Sequence, residues 1–250
     1  MMTSNGLNIT FDEGRHWRGK VGFVLLATEQ TVADDMLQII PEGVGLHFSR
    51  VAIPDSITIA SLTQLVSGLG AAAQVILPDG SLDVITYACT SGSLVVGEGK
   101  VFAELNKGAP KAHKTCIITS VLRALKAVKA KRIVVATPYL DEINSLEKMY
   151  VEASGFEVLD IQGLQIEKDS DMVRVTPESI LQFAISLDRA DADTIFISCG
   201  ALRSIDIIDR LEQLTGKTVI TSNQAMAWDV MRLAGVNDSI AGFGRLLRDF

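Results

Sequence analysis

Cys89 and Cys199 stand in matching surroundings. Ile85-Thr86-Tyr87-Ala88 leads into the first and Ile195-Phe196-Ile197-Ser198 into the second, and small or polar residues follow each: Thr90-Ser91-Gly92-Ser93 and Gly200-Ala201-Leu202-Arg203-Ser204. An apolar run that stops at such a turn reads as a strand handing over to a helix. The free N–H groups of a helix N-terminus lower a thiol pKa and bind carboxylates. If the two thiols oppose each other across one cleft, one can take a proton from a carbon while the other returns it from the opposite face. Thr90, Ser91, Gly200, Ala201 and Ser120 would then line the anion pocket. Cys116, in an apolar stretch with no polar loop after it, reads as a small buried hydrophobe.

The elements that must carry these residues are short β-rich runs alternating with helical periodicity. Strands are expected at 21–27, 46–53, 83–88, 116–119, 132–137, 157–161, 194–198 and 218–221, and helices at 31–40, 59–76, 92–106, 140–154, 177–189, 204–214 and 224–233. Strict alternation of this kind implies parallel sheets covered on both faces. Pro177 after Thr176 suits a helix start, and Gly155 and Gly216 suit helix ends. Leu26-Ala27-Thr28 and the Cys89 run recur about 110 residues later as Val135-Ala136-Thr137 and the Cys199 run, and Ile118-Thr119-Ser120 recurs as Ile220-Thr221-Ser222. The chain therefore reads as two similar α/β lobes, residues 20–116 with 218–250 forming the first and 117–217 the second, after an N-terminal extension over 1–19.

Composition narrows the function. The 250 residues are 48% hydrophobic and 21% charged, enough apolar content for a substantial core, and the net charge of -7 with scattered basic residues argues against nucleic acid as a partner. The apolar runs are too short to span a bilayer and the first nineteen residues too polar for a signal peptide, so a cytoplasmic protein without a membrane partner is expected. Three dispersed cysteines make neither a disulfide framework nor a zinc knuckle. Gly97-Glu98-Gly99-Lys100 lacks the spacing of a phosphate loop, and His16, His47 and His113 have no partner at helical spacing, so no metal or cofactor site is expected.

Tyr87-Ala88-Cys89-Thr90-Ser91, Ala136-Thr137-Pro138-Tyr139, Ser198-Cys199-Gly200-Ala201-Leu202 and Gly242-Phe243-Gly244-Arg245-Leu246-Leu247 together resemble the maleate isomerase and arylmalonate decarboxylase branch of the aspartate/glutamate racemase superfamily. The resemblance runs from about Lys20 onward. It implies two Rossmann-like lobes with parallel four-stranded sheets, an active site between them, no cofactor, and one cysteine from each lobe, with Tyr139 reaching the substrate. Decarboxylases of the branch replace the first cysteine, so Cys89 places this chain among the two-cysteine enzymes.

The chain also departs from that pattern. Where maleate isomerases carry substrate-binding asparagines, the alignment puts Glu29, with Gln30 adjacent, and Asp169. An ionised carboxylate cannot donate a hydrogen bond to another carboxylate. The first turn, Leu26-Ala27-Thr28-Glu29-Gln30-Thr31, instead resembles racemase-like proteins of ectoine and hydroxyectoine breakdown, whose substrates carry cationic nitrogen that acids could pair with. Glu29 could equally complement the dipole of the helix that follows it. The reading is a cofactor-independent isomerase or racemase acting on a small carboxylic acid or amino-acid derivative. If the chemistry is addition, Cys89 is the nucleophile and Cys199 the acid. Maleate cis-trans isomerisation, arylmalonate-type decarboxylation and non-catalytic small-molecule binding are the alternatives, and a homo-oligomer is expected.

Overall fold

The computed structural model describes residues 9–250; residues 1–8 of the expected N-terminal extension lie outside the described residues. Two four-stranded parallel sheets have the same strand order. The first is built from β1 (Gly19–Leu26), β2 (Val44–Val51), β3 (Val84–Tyr87) and β4 (His113–Cys116) in the order β2-β1-β3-β4. The second, from β5 (Arg132–Thr137), β6 (Glu157–Gly163), β7 (Thr194–Ile197) and β8 (Thr218–Thr221), has the order β6-β5-β7-β8. Central strands such as Val84–Tyr87 and Thr194–Ile197 are buried at every position, which is what a sheet covered by helices on both faces requires of an apolar run.

In each lobe the chain leaves the first strand toward one edge and returns beside it on the other side, making a topological switch point at the carboxyl ends of β1 and β3, and of β5 and β7. Ligands in open α/β sheets bind there. The sequence places Thr28, Glu29 and Cys89 at the first switch point, and Tyr139 and Cys199 at the second.

Helices α1 (Val32–Ile39), α2 (Ile59–Gln64), α3 (Leu69–Gln74), α4 (Thr90–Val96), α5 (Glu98–Gly108) and α6 (Ile117–Ala127) accompany the first sheet. Helices α7 (Asp141–Ala153), α8 (Asp169–Met172), α9 (Pro177–Ser186), α10 (Ile208–Thr215), α11 (Ser222–Leu233) and α12 (Gly244–Asp249) follow. The Thr176 hydroxyl caps α9 by accepting from Ser179 N–H with Pro177 in the first turn, and Gly216 ends α10 in the left-handed region. The helix expected over 59–76 is broken by a 3-10 turn at Leu65–Gly68, where a side chain on Gly68 would strike Val51. The helix expected over 92–106 is two helices meeting at Gly97, whose φ of 84° no helix continues through. Among the described residues no helix is long and apolar enough to cross a membrane.

Two expectations need correction. The run at 116–119 is not a strand: β4 ends at Cys116, and Ile117-Ile118-Thr119 opens α6 with its β-branched side chains packed inward. Cys116 and Thr221 are therefore the equivalent N-caps of the two lobes, and the match of Ile118-Thr119-Ser120 to Ile220-Thr221-Ser222 is out of register. The lobe boundary also moves: β8 pairs with β7 in the second sheet, α11 packs against α1, α6, β3 and β4 of the first lobe, and α12 returns to β8 and α10 of the second.

The corresponding helices α6 and α11 pack against each other at the centre of the molecule. Between them Asp229, which is buried, accepts from the Thr115 hydroxyl at 2.7 Å, the Ser120 hydroxyl at 2.8 Å and the Arg123 guanidinium at 3.0 Å. Arg123 is 40% exposed, so solvent weakens the ionic part, and the two buried hydroxyls dominate. Asp229→Ala should therefore cost about 3 kcal/mol, with Arg123→Ala costing less, as read by urea denaturation; equal effects would make the ion pair the dominant contact.

Candidate active site

Cys89 and Cys199 line one small cavity between the lobes, together with Glu29, Thr90, Ser91, Tyr139, Asp169, Gly200 and Ala201. Both thiols are nearly covered, at 7% and 6% exposure. Cys89 is the N-cap of α4: its sulphur accepts from Gly92 N–H at 3.3 Å and lies 3.6 Å from the Ser91 hydroxyl. Any side chain on Gly92 would collide with the Tyr87 hydroxyl and approach the Cys89 sulphur to 3.0 Å, so glycine is what lets the thiol sit over the helix end.

Cys199 reaches the cavity differently. Its φ is +97°, a backbone region that favours glycine and costs a side-chain-bearing residue about 1–3 kcal/mol. Surrounding contacts hold it there: Cys199 N–H donates to the Ser222 hydroxyl at 3.0 Å, Asn223 donates to Gly200 C=O at 2.8 Å, and the Thr31 hydroxyl donates to Ala201 C=O at 2.9 Å. Ala201 N–H points back at the Cys199 sulphur at 3.3 Å. The Thr90 hydroxyl donates to the same Ser222 oxygen at 3.0 Å, so one serine joins the two cysteine loops. Ser222 and Asn223 escaped the sequence reading. Ser222 was present there only as the presumed counterpart of Ser120, a match that the displaced repeat register assigns to the wrong helix turn.

Ser120 is accordingly not in the cleft but in the Asp229 network of the α6–α11 interface. Gln30 is not brought to the cleft either: its side chain is exposed and lies 3.5 Å from Thr28 C=O. Thr28, outside the cavity lining, touches a residue of the cleft, donating to Asp169 across the lobes at 2.5 Å. Asp55 fastens the neighbouring residue, accepting from Ser170 N–H at 3.0 Å and from the Ser170 hydroxyl at 2.7 Å. Glu29 takes the capping role. One oxygen caps α1 through Thr31 N–H and Val32 N–H, while the other is buried with no partner. Arg50 fixes this turn by donating to Leu26 C=O at 2.9 Å and Glu29 C=O at 2.7 Å.

The N-terminus of α4 alone would depress Cys89, and Cys199 has only the Ala201 N–H of an irregular turn; at both thiols burial wins. It pushes Cys89 up to about 11 against the opposing effects of Gly92 N–H and the Ser91 and Tyr87 hydroxyls. Cys199 is pushed up further by burial and by the charge of Asp169, opposed by the Tyr139 hydroxyl and Ala201 N–H. Burial also raises Glu29 and Asp169. The lining contains no lysine, arginine or histidine, so the cleft presents two neutral thiols and two reluctant acids to whatever enters. Among the described residues no group of side chains could hold a metal ion.

Two Rossmann-like lobes with a thiol at each switch point define a two-lobed α/β protein with an interlobe cysteine pair. The profile of the arylmalonate decarboxylase family matches residues 21–247, and the chain belongs to that family. It is similar to the maleate isomerase of Nocardia farcinica, 25% identical over 239 residues covering 92% of this chain and 95% of the relative. It is also similar to the arylmalonate decarboxylase of Bordetella bronchiseptica, 31% identical over 135 residues covering 53% and 56%. Among solved structures, the Nocardia farcinica maleate cis-trans isomerase in which serine replaces one cysteine, carrying a covalently bound succinylcysteine intermediate, superposes with a TM-score of 0.86 at 23% identity over 93% of this chain and 99% of that one. Unliganded arylmalonate decarboxylase superposes with a TM-score of 0.77 at 24% identity over 92% and 98%.

Serine is a far weaker acid and nucleophile than cysteine. Cys89→Ser and Cys199→Ser should each lower turnover about a thousandfold or more, read as α-proton exchange in D2O over a panel of small carboxylic and amino acids, with unchanged circular dichroism. Cys116→Ser should cost only stability, about 1–3 kcal/mol. Loss of activity confined to the Cys116 variant would reassign the site.

Proposed function

We propose that the protein is a cofactor-independent isomerase or racemase that binds a small carboxylic acid between Cys89 and Cys199. The observation that carries this reading is that two thiols, each within 3.3 Å of a backbone N–H, line a single small cavity from opposite lobes. Cys89, with the lesser upward shift, is the thiol that more readily yields a thiolate, to abstract an α proton or add to an activated double bond. Cys199 supplies a proton from the other side. Thr90, Ser91, Gly200 and Ala201 offer N–H and hydroxyl donors to the carboxylate and to the enolate-like charge. The covalent succinylcysteine described for the Nocardia isomerase supports sulphur as the nucleophile in this fold. Three free thiols suit a reducing cytoplasm.

Glu29 and Asp169 bear on the substrate. The charge of Asp169 raises both thiols, so a cationic group seated beside it would relieve that repulsion and favour thiolate formation as the substrate binds. An amino-acid derivative carrying nitrogen at the end away from its carboxylate satisfies both conditions. Maleate, with a second carboxylate at that end, satisfies neither. Decarboxylation remains the competing activity within the family, and carbon dioxide release from substituted malonates would favour it.

Glu29→Gln with Asp169→Asn removes both acids and supplies N–H donors, so the double variant should bind maleate more tightly and a cationic amino-acid derivative more weakly, by about tenfold in each direction. Calorimetry in a background in which both cleft cysteines are serine measures the two affinities without turnover. Tight maleate binding before the acids are replaced, or no change after, would contradict the cationic-substrate reading.

A further inference from the structure

Glu147 is a buried carboxylate that the cleft does not use. It lies on α7 at 0% exposure, with one oxygen accepting from the Ser198 hydroxyl at 2.6 Å and the other without any partner. Ser198, equally buried, is the residue immediately before the strained Cys199. Three residues earlier on the same helix, Asn144 accepts from the Thr137 hydroxyl at 2.6 Å and turns its amide toward Tyr139 C=O at 3.5 Å. One face of α7 therefore braces both the Cys199 strand end and the Tyr139 loop. The first lobe has no such arrangement: Ala88 precedes Cys89, and the buried carboxylate of α1, Asp35, accepts from Asn223 instead.

We propose that Glu147, anchored by Ser198 behind Cys199, is a positioning residue whose charge keeps Cys199 the proton-holding member of the cysteine pair; the proposal rests on the two-cysteine reading above. Burial raises the Glu147 carboxyl to about 7, opposed by the Ser198 hydroxyl. It therefore ionises around neutrality, and its charge is already felt by the Tyr139 phenol beside Cys199. Neighbouring elements bring no cation to offset it. Helix α4 carries only hydroxyl, apolar and glycine residues, Glu157 on β6 is engaged by Arg132 and Asp160 by Gln162, and Lys148 on α7 itself faces Glu152 at 3.9 Å. Once Glu147 is ionised, a negative charge stands behind Cys199 and not behind Cys89, so removing the Cys199 proton becomes harder while Cys89 is unaffected.

The test is site-resolved alkylation by iodoacetamide, followed by peptide mass spectrometry across pH ~6 to 9, which needs no knowledge of the substrate. The ratio of initial rates, Cys199 over Cys89, should fall as pH rises through about 7. Glu147→Gln retains an acceptor for Ser198 but cannot ionise. It should abolish that fall and speed Cys199 alkylation about tenfold at the alkaline end, with Cys89 unchanged. Ser198→Ala removes the hydrogen bond and keeps the carboxyl, so the fall should persist at higher pH. A Glu147→Gln protein with the original ratio profile, or with both cysteines shifted equally, would reduce Glu147 to a structural acceptor and overturn the proposal. Labelling at Cys116 alone in the unaltered protein would instead overturn the two-cysteine reading itself.

Discussion

The cleft buries two thiols and two carboxyls with no basic side chain in its lining, and that electrostatic deficit shapes everything around it. Removing an ionisable group from water disfavours its charged form, and a nearby like charge disfavours it further. Cys89 and Cys199 are consequently held neutral, and Glu29 and Asp169 are both raised by their burial. Within the lining the protein opposes this with N–H groups and hydroxyls, and from outside it Arg50 lowers Glu29. A cationic group on the ligand, as proposed above, would offset that deficit and couple substrate recognition to activation of the sulphur.

Closure of the cleft depends on contacts that cross between lobes. Ser222 takes hydrogen bonds from both cysteine loops, Thr28 reaches Asp169, and Asp55 holds Ser170. The crossed helices α6 and α11 set the relative placement of the two sheets through the Asp229 network. Within this approximate twofold arrangement the cysteines are not equivalent. Cys89 sits in extended backbone as an ordinary helix N-cap, whereas Cys199 is held at a positive φ and backed by a buried acid through Ser198. A nearly symmetric fold thus leaves its two thiols in different surroundings, the asymmetry on which the proposed division of roles rests.

Much of this was legible in the sequence because strand ends are. An apolar run followed by small residues locates a switch-point loop, and its recurrence revealed two lobes and paired Cys89 with Cys199. The register of the repeat was less legible at Cys116-Ile117-Ile118, where β-branched residues read as strand although they begin a helix whose first turn is buried at the lobe interface. That slip sent Ser120 to the anion pocket and hid Ser222. That Gln30 stays outside the cleft was illegible because the conformation of its turn is fixed by Arg50 gripping the Leu26 and Glu29 carbonyls from β2. The sign of the thiol shifts was illegible for a different reason: a helix N-terminus is a local feature, whereas the burial that outweighs it arises only when the second lobe closes over the first.

The central claim is that Cys89 and Cys199 share one small cavity, and mutual exclusion of their modification tests it most directly. Intact-mass and peptide analysis of the unaltered protein during iodoacetamide treatment should show chains carrying one cleft adduct, on Cys89 or on Cys199, because both nearly covered sulphurs face the same small cavity and the first adduct leaves no room there for a second. Doubly labelled chains accumulating at the product of the two single-site rates would mean that the thiols occupy independent sites, and would contradict the account.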